Sequence, residues 1–400
     1  MKVHAARAPM HTVQINRKGA NRVHSGHPWV FASDVEDRGE AQAGDAVRVV
    51  GPRHETLGSA HYSSTSQITL RMLSTGARAE EASREFFAER FAKAAALREL
   101  VVRDSDAYRL ISSEGDLLPG LIVDKYGPYF VVQTLSQGMD RELATFARIL
   151  VDEYAAEGIV ARNDAAVRTH ESLAVEKKVV HGEVPDRVPM RMNGLTMYAD
   201  LLHGQKTGVF LDQRENYPAA ARFAKPGGRA LDCFTSTGGF ALHLSRICEH
   251  VEAVDSSALA LEVAAGNAKA NGIENIEWKQ ADVFELLSAY SKMRTKFDTI
   301  VLDPPAFAKS RSAVQGALRG YKDINLRALR LLEPGGILVT CSCSHHISEA
   351  DLLGVAAEAS LDAGRTLRVL DRRIQSQDHP VLLTVPETLY LKCVILQVVA

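Results

Sequence analysis

The chain has 400 residues, of which 46% are hydrophobic and 24% are charged, and its formal net charge is −2. This composition permits two or three domains with substantial cores, and it excludes the overall basic field that marks many nucleic-acid-binding proteins. No stretch approaches the roughly 18 apolar residues of a membrane-spanning helix, so the sequence predicts a soluble chain without a membrane partner.

The charge is unevenly distributed along the chain. Residues 1–79 contain ten Lys and Arg against six Asp and Glu, so this part alone is basic. A basic patch of this kind fits phosphate groups, although a solvated face without any partner has the same composition.

The cysteines and the first residues predict the compartment. The five cysteines are scattered and odd in number, which favours free thiols in a reducing environment. The first nineteen residues lack the apolar segment of a secretory signal. We therefore expect a cytoplasmic protein.

Residues 1–79 are predicted to form a small β-rich domain. The segments 45–51, 56–63 and 66–74 alternate apolar and polar residues or carry β-branched ones, and Gly and Pro separate them. Short strands between turns are typical of a compact sheet.

Residues 80–192 are predicted to form a linking helix and a middle α+β domain. Charged and apolar residues recur at helical spacing over 77–100, with no Gly or Pro inside. A strand-turn-strand-turn-strand pattern follows over 108–136, then a helix over 139–154 and another strand over 158–164.

Residues 193–400 show regular alternation of strand and helix patterns, which predicts an α/β domain. The predicted strands cover 229–234, 250–255, 276–282, 297–303, 335–343 and 388–399. Alternation at this spacing indicates βαβ units and a doubly wound, mostly parallel, Rossmann-like sheet with helices on both faces.

Acidic residues stand at the ends of the first four of these strands, namely Asp232, Asp255, Asp282 and Asp303. Each alone is explained by helix capping or a turn. Together they lie on the edge where doubly wound sheets bind ligands, and carboxylates there suit ribose hydroxyls and an exocyclic amine. Gly238 and Gly239 open the helix after the first strand, which would let a ligand approach the backbone. The sequence has no pyrophosphate loop and no Walker lysine motif, so the pattern favours S-adenosylmethionine over a dinucleotide.

The fifth strand ends in "VTCSCSHH", which carries Cys341 and Cys343. Side chains alternate along a strand, so both cysteines face one side, and Cys343 lies nearer the ligand edge. Two buried thiols are one interpretation, and we favour it for Cys341. A zinc site is disfavoured because the chain has no second cysteine pair, so no metal is predicted.

A nucleophilic thiolate is the remaining interpretation, and methylation of a pyrimidine at C5 would require one. C5 is too weak a nucleophile until a thiolate adds to C6 and makes it enamine-like. His345 and His346 could favour the thiolate as imidazolium ions, although exposed residues at a strand end are the favoured interpretation.

The chain resembles a bacterial family of 23S ribosomal RNA (cytosine-C5) methyltransferases, in which a PUA domain precedes a class I methyltransferase domain. The resemblance rests on "RKGANRVHSGHPWVF", "SSEGDLLPGLIVDKYG", "HGQKTGVFLDQREN", "CFTSTGGF", "DPPAF", "GYKDIN", "CSCS", "DHPV" and "PETLYLK", which occur in the family's order. It implies that residues 1–79 form a PUA-like RNA-binding domain and that 193–400 bind S-adenosylmethionine. Family members are often dimers, so a homodimer is a further expectation.

The resemblance also assigns roles residue by residue. The nucleophile falls on Cys343, while Cys341 falls on a variable position. The cofactor-binding positions fall on Asp232, Thr237, Gly238, Asp255, Asp282 and Asp303. A second role follows for Asp303, which is implied to hold the target base. Lys206 and Arg214 are implied to lie in the wall of the site, and in the N-terminal domain we expect Arg22 and Trp29 to contact RNA. A surface charge at Lys206 or Arg214 and a core position for Trp29 are the alternatives.

Three positions depart from the family pattern. Ser236 stands where an aromatic residue is frequent, and Tyr217 stands where a basic residue is common. Ala306 follows the two prolines where related enzymes that use two cysteines carry a second one. The group that removes the C5 proton is therefore unassigned.

The sequence thus predicts an S-adenosylmethionine-dependent methyltransferase that forms 5-methylcytosine in 23S ribosomal RNA. The target base must leave its stack to reach such a pocket. The first alternative is N-methylation of adenine or guanine, for which Asp-Pro-Pro followed by an aromatic residue is the usual motif. The second is an RNA-binding protein whose methyltransferase fold is inactive.

Overall fold

The computed structural model describes residues 10–204, 207–308 and 310–400. Its first unit is a six-stranded sheet in the order β2-β6-β5-β4-β1-β3 with one helix. The strands are β1 Thr12–Ile15, β2 Trp29–Phe31, β3 Val35–Asp37, β4 Ala46–Val50, β5 Thr56–Tyr62 and β6 Ile68–Thr75, and the helix is α1 Arg17–His24. The three predicted strands are confirmed as β4, β5 and β6. The others escaped prediction because three or four residues are too short for an alternating pattern.

The second unit is a five-stranded sheet in the order β11-β10-β9-β8-β7. Its elements are α2 Arg84–Val101, β7 Ala107–Ser112, β8 Leu121–Tyr126, β9 Tyr129–Thr134, α3 Gln137–Arg141, α4 Leu143–Tyr154, β10 Gly158–Asn163 and β11 Glu176–Gly182. Helix α2 begins later than predicted because Ser83 caps it, accepting the Phe86 N–H at 3.2 Å. Strand β11 was not predicted, and its mostly exposed residues explain why.

A hairpin joins this unit to the last one. It consists of β12 Val188–Met192 and β13 Leu195–Ala199, linked by Asn193 and Gly194, which both have positive φ. The predicted domain boundary after residue 192 falls inside the hairpin. The apolar side chains of both strands belong to the core of the C-terminal sheet.

The third unit is a seven-stranded sheet in the order β16-β15-β14-β17-β18-β20-β19. Its elements are α5 Asn216–Phe223, β14 Arg229–Cys233, α6 Gly239–Leu244, β15 His250–Asp255, α7 Ala258–Ala270, β16 Ile276–Gln280, α8 Val283–Met293, β17 Phe297–Leu302, α9 Val314–Leu331, β18 Leu332–Ser342, α10 Glu349–Asp362, β19 Leu367–Arg373 and β20 Lys392–Val398. Only β20 runs antiparallel to its neighbours, so the predicted α/β fold with a mostly parallel sheet is confirmed.

The strand order places the ligand-binding edge. From β14 the chain proceeds outward through β15 to β16, and then returns to β17 on the other side of β14. The crevice between β14 and β17 is therefore the topological switch point, where α/β sheets bind ligands beyond the carboxyl ends of their strands. Strand β18 pairs with β17 as predicted, so its end opens at the same edge. None of the helices in the described ranges is long and apolar enough to cross a membrane.

A buried carboxylate ties the second unit to the third. Asp378 is fully buried and accepts hydrogen bonds from the Arg214 guanidinium at 3.0 Å and from the Arg109 N–H at 2.8 Å. Its carbonyl accepts a further bond from Arg98 at 2.7 Å. Burial by itself would raise the pKa of Asp378, but His379 and Arg214 outweigh that effect and hold this pKa well below its ordinary value.

Candidate active site

A cavity of about 390 Å³ opens at the carboxyl ends of β14, β15 and β17. Five of the residues predicted to form the site line it: Thr237, Asp255, Asp282, Asp303 and Cys343. Aromatic side chains supply much of the remaining wall, among them Phe234, Phe284 and Phe307. The structure therefore brings the predicted strand-end acids and the predicted nucleophile to one cavity.

Asp232 lies behind this wall rather than in it. Its side chain is fully buried, and its Oδ2 accepts hydrogen bonds from the Thr235 hydroxyl at 2.6 Å and from the Ala241 N–H at 2.9 Å. The carboxylate thereby fixes the loop after β14 to the first turn of α6. Burial, with help from the negative charge of Asp303, raises the pKa of Asp232 to about 7.

The two glycines make room for protein side chains, and the approach of a ligand to their backbone stays a prediction. Gly238 has φ of +87°, and a Cβ there would lie 3.1 Å from the Trp278 ring. A Cβ at Gly239 would lie 2.3 Å from the Tyr217 ring. Both positions therefore exclude larger residues for packing reasons, and neither lines the cavity.

Asp255 and Asp282 hold local structure and line the cavity at the same time. The Asp255 carboxylate accepts the Ser236 N–H and the Ser257 N–H, each at 2.9 Å. Asp282 is the N-cap of α8 and accepts the Glu285 N–H at 3.0 Å. The capping interpretation and the site interpretation are thus compatible, because a carboxylate oxygen that accepts one backbone N–H keeps a second lone pair for a bond from a ligand.

Cys341 and Cys343 have different surroundings, although all five cysteines are free thiols. Cys341 is fully buried in the sheet opposite Cys393 on β20. Burial and the neighbouring Cys393 raise the pKa of Cys341 well above its ordinary value. Cys343 lies just beyond the end of β18, is partly exposed and lines the cavity. The predicted core position of Cys341 is confirmed.

The serines beside Cys343 anchor its backbone. The Ser342 hydroxyl donates to the Tyr321 hydroxyl at 2.8 Å, and the Ser344 hydroxyl lies 3.2 Å from the same phenol. The Ser344 hydroxyl also accepts the Ala308 N–H at 3.2 Å. Because both flanking side chains are held by the α9 side of the sheet, the intervening residue is presented to the cavity.

The two histidines that follow are exposed, as expected. Burial of part of the His345 ring, together with the positive charge of Lys392 and the neighbouring His346, lowers the pKa of His345. The lowered pKa disfavours the imidazolium form of His345, so this ring is a poor source of the cation considered for the thiolate.

Of the two predicted substrate residues of the C-terminal half, the structure describes Arg214, which does not line the cavity. Arg214 is buried, and its guanidinium pairs with Asp378 at 3.0 Å and with Glu215 at 3.2 Å. It therefore supports the wall from behind, and a contact between Arg214 and substrate stays a prediction. Lys206 lies outside the described residues.

Arg22 and Trp29 have structural partners in the N-terminal half. Arg22 donates to Asp34 at 2.6 Å and lies over the Phe31 ring at 4.5 Å. Trp29 is half-buried, and its indole N–H donates to Glu114 of the second unit at 2.9 Å. Trp29 is therefore neither a core residue nor a freely exposed one, and it joins two units.

Several cavity residues were not predicted, chiefly Phe210, Asp212, Gln213 and Tyr217. All four belong to or follow the "GVFLDQREN" segment before β14. The resemblance pointed to this segment through Lys206 and Arg214, but it did not single out these four side chains. The Tyr217 ring packs edge-on against Phe240, with ring centroids 4.8 Å apart, and its hydroxyl donates to the Phe210 carbonyl at 3.2 Å. Tyr217, one of the positions that differ from the family pattern, thus forms part of the cavity wall.

The lining chemistry fits a nucleoside-bearing group. The carboxylates of Asp255, Asp282 and Asp303 can accept hydrogen bonds from hydroxyl and amine groups, and the aromatic walls provide flat apolar surface. The negative charge of this cavity opposes phosphate. S-adenosylmethionine carries two ribose hydroxyls, an adenine amine and no phosphate, so the residues present fit it.

Comparisons with known proteins agree with this fold. A family model described as a PUA-like domain matches residues 13–75, and one described as a methyltransferase domain matches 224–378. The sequence is 41% identical over 381 residues to a ribosomal RNA large subunit methyltransferase I of Shewanella denitrificans, covering 93% of this chain and 95% of that protein. It is 40% identical over 381 residues to the protein of the same name from Tolumonas auensis, covering 93% and 96%.

A solved structure of SMU.776, described as a methyltransferase complexed with SAH, matches with a TM-score of 0.83. The sequence identity is 18%, and the match covers 97% of this chain and 100% of that chain. At this identity the likeness is evidence for the fold. The class I methyltransferase fold and the preceding PUA-like unit are therefore confirmed.

Proposed function

Since the chain belongs to the ribosomal RNA large subunit methyltransferase I family, we propose that it forms 5-methylcytosine in 23S ribosomal RNA. The protein is an S-adenosylmethionine-dependent methyltransferase of large-subunit ribosomal RNA. The choice of cytosine C5 is supported by one observation above all, the position of Cys343 in the wall of the cavity. Methylation of a base nitrogen would not need a thiol there.

When bound, the cofactor supplies an electrophilic methyl group on a sulfonium sulfur. Asp255 and Asp282 would accept its hydroxyl and amine hydrogens, and Thr237 would contact it from the loop after β14. Asp232 and Gly238 act through that loop, one by hydrogen bonds beneath it and the other by its left-handed backbone. We therefore propose that Asp232 and Gly238 contribute to cofactor binding by fixing the shape of the cavity wall.

Cys343 carries the covalent step. Its thiolate forms an Sγ–C6 bond with the cytosine, and the electron pair of the C5–C6 double bond makes C5 nucleophilic. C5 then takes the methyl group. Loss of the C5 proton to a base restores the double bond as the Sγ–C6 bond breaks, which returns the thiolate. Each bond that forms on the enzyme is broken again, so Cys343 is regenerated.

Asp303 is proposed to hold the target base. It follows β17 directly and lines the same cavity as Cys343, so its carboxylate can accept a hydrogen bond from the cytosine amine. A base that reaches this cavity must leave its stack, at a cost of a few kcal/mol. Unpaired or partly assembled RNA would reduce that cost.

RNA contacts outside the cavity are proposed for the PUA-like unit and for Lys206. The "HGQKTGVFLDQREN" segment that contains Lys206 leads into the cavity wall, which supports a contact with substrate. The guanidinium of Arg22 and the indole of Trp29 are engaged by Asp34 and Glu114. Their proposed contribution to RNA binding is to hold the shape and attachment of the N-terminal unit.

Trapping with 5-fluorocytosine tests the proposal. A C5–F bond cannot lose a proton, so a 23S RNA fragment with this base should form a denaturation-stable adduct in the presence of S-adenosylmethionine. Cys343→Ala should form none, and Cys341→Ala, the matched control, should still form it. Nucleoside analysis of unmodified RNA should show 5-methylcytosine. An active Cys343→Ala enzyme yielding N-methyladenine or N-methylguanine would establish the alternative chemistry of the Asp-Pro-Pro motif, and failure to bind S-adenosylmethionine would indicate an inactive fold.

A further inference from the structure

A buried lysine lies next to the segment that carries Cys343. Lys392 is the first residue of β20, and it is paired in register with Ser342 at the end of β18. Only 6% of Lys392 is exposed. Its ammonium donates to the Ser344 carbonyl at 2.7 Å and to the Tyr390 carbonyl at 2.8 Å. A buried ammonium bound to two carbonyls is an expensive arrangement for a position that only needs to pack.

The two carbonyl bonds place a positive charge beside the proposed nucleophile. Ser344 is the residue immediately after Cys343, so the ammonium is bound to the backbone next to the proposed nucleophile. Attraction between Cys343 and Lys392 favours the charged form of the lysine, and by the same interaction Lys392 favours the thiolate. The serine hydroxyls, held by Tyr321, fix the opposite side of this short segment.

Among the residues that the structure describes, the histidines beside this pair do not match a buried ammonium. Both lie at exposed positions. Partial burial and the positive charges of Lys392 and His346 lower the pKa of His345, which disfavours its charged form. Asp351, on α10, favours the protonated lysine. Asp303 lines the same cavity as Cys343 and Tyr321 is fully buried, and neither side chain can carry a positive charge. Burial lowers the pKa of Lys392 to about 8, against the opposing effects of Cys343 and Asp351. The lysine is therefore still mainly protonated at pH 7.

We propose that Lys392 is a positioning residue for the reaction, whose ammonium fixes the backbone after Cys343 and stabilises the Cys343 thiolate. The inference rests on the proposed role of Cys343 as nucleophile. It assigns to an amine on β20 the task that the sequence had considered for the adjacent histidines. A lysine suits this task because its compact ammonium carries three donors on one nitrogen, so it can bind two carbonyls and still bear a positive charge.

Alkylation of Cys343 tests this without RNA or cofactor. The full-length protein is treated with iodoacetamide from pH 6 to pH 10, and the modified Cys343 peptide is quantified by mass spectrometry. Lys392→Met should raise the pH midpoint of alkylation and slow the reaction at pH 7 about tenfold, since one pKa unit changes the thiolate fraction tenfold. Lys392→Arg, which keeps the charge, should alkylate with a midpoint close to that of the wild-type protein.

Two further variants separate charge from structure. Lys392→Gln keeps a hydrogen-bond donor without charge and should behave as Lys392→Met does. Lys225→Met removes a lysine that pairs with Asp298 at the far end of the sheet, and should leave the midpoint unchanged. An unaltered midpoint in both Lys392→Met and Lys392→Gln would overturn the proposal while leaving Cys343 as nucleophile. A methylating Cys343→Ala enzyme would instead remove the function on which the proposal rests.

Discussion

Replacing Asp232 with Asn is expected to raise the free energy of unfolding relative to the wild type, by an amount that grows as the pH rises. The wild-type carboxyl has a pKa of about 7 in the folded protein, raised by burial from an ordinary value of 3.8. The folded state therefore binds a proton that the unfolded state has lost, and stability falls as pH rises between these two values. Asn cannot titrate, and its side-chain oxygen can still accept the bonds from Thr235 and Ala241.

The magnitude follows from the two pKa values. A change from 3.8 to about 7 corresponds to about 4 kcal/mol in the free energy of unfolding. About 2 kcal/mol of this difference between variant and wild type should develop between about pH 5.5 and 8.5. Titrating groups that do not interact with Asp232 affect both proteins equally, so they cancel in the comparison at each pH.

Urea unfolding at several pH values provides the assay. The chain contains two tryptophans, so a Trp29→Phe background leaves Trp278 on β16 as the reporter of the C-terminal sheet. Asp298→Asn is a control of opposite sign. Burial raises the pKa of Asp298, but Lys225 and Arg229 outweigh that effect and lower it, so its stabilisation is lost as pH falls. Parallel pH profiles for Asp232→Asn and wild type would refute the reasoning.

Two other substitutions test the supports of the cavity. Gly238→Ala should lower the free energy of unfolding by about 1–2 kcal/mol because of its left-handed backbone, and its new Cβ would meet the Trp278 indole on β16, so calorimetry should also show weaker binding of S-adenosylmethionine. Gly335→Ala, at a glycine with positive φ whose added Cβ would have no atom within 4 Å, should lose stability but keep its affinity. Equal affinities for the two variants would contradict this. Asp378→Ala should lower the free energy of unfolding by about 3–5 kcal/mol, because it removes the buried partner of Arg214 and leaves only the partly exposed Glu215. Asp152→Ala, at an exposed ion pair, should cost under about 1 kcal/mol, and similar losses for the two aspartates would show that burial does not matter here.

Features that depend on strand order were predictable from the sequence. Parallel strands place their carboxyl ends at one edge, so Asp255, Asp282 and Asp303 could be grouped before any coordinates were known. Alternation along β18 separated Cys341 from Ser342, and the end of that strand marked Cys343 as the residue nearer the site. These inferences use only local pattern and the rules of α/β topology.

Features that depend on long-range packing were not predictable. The need for Gly238 and Gly239 comes from Trp278 and Tyr217, which are distant or unremarkable in the sequence. Arg214 was taken for a wall residue because nothing near it reveals the buried carboxylate that neutralises it. Lys392 lies 49 positions from Cys343 along the chain, and the pairing of β20 with β18 brings it opposite Ser342 and within hydrogen-bond distance of the Ser344 carbonyl.

Bisulfite sequencing of 23S ribosomal RNA tests the central claim most directly. RNA is compared from cells with the gene, without it, and without it but complemented by wild type, Cys343→Ala or Cys341→Ala. We predict that one cytosine loses its protection in the deletion strain and regains it with the wild type and Cys341→Ala, but not with Cys343→Ala. An identical pattern in all strains, or recovery with Cys343→Ala, would contradict a cysteine-dependent C5 methylation.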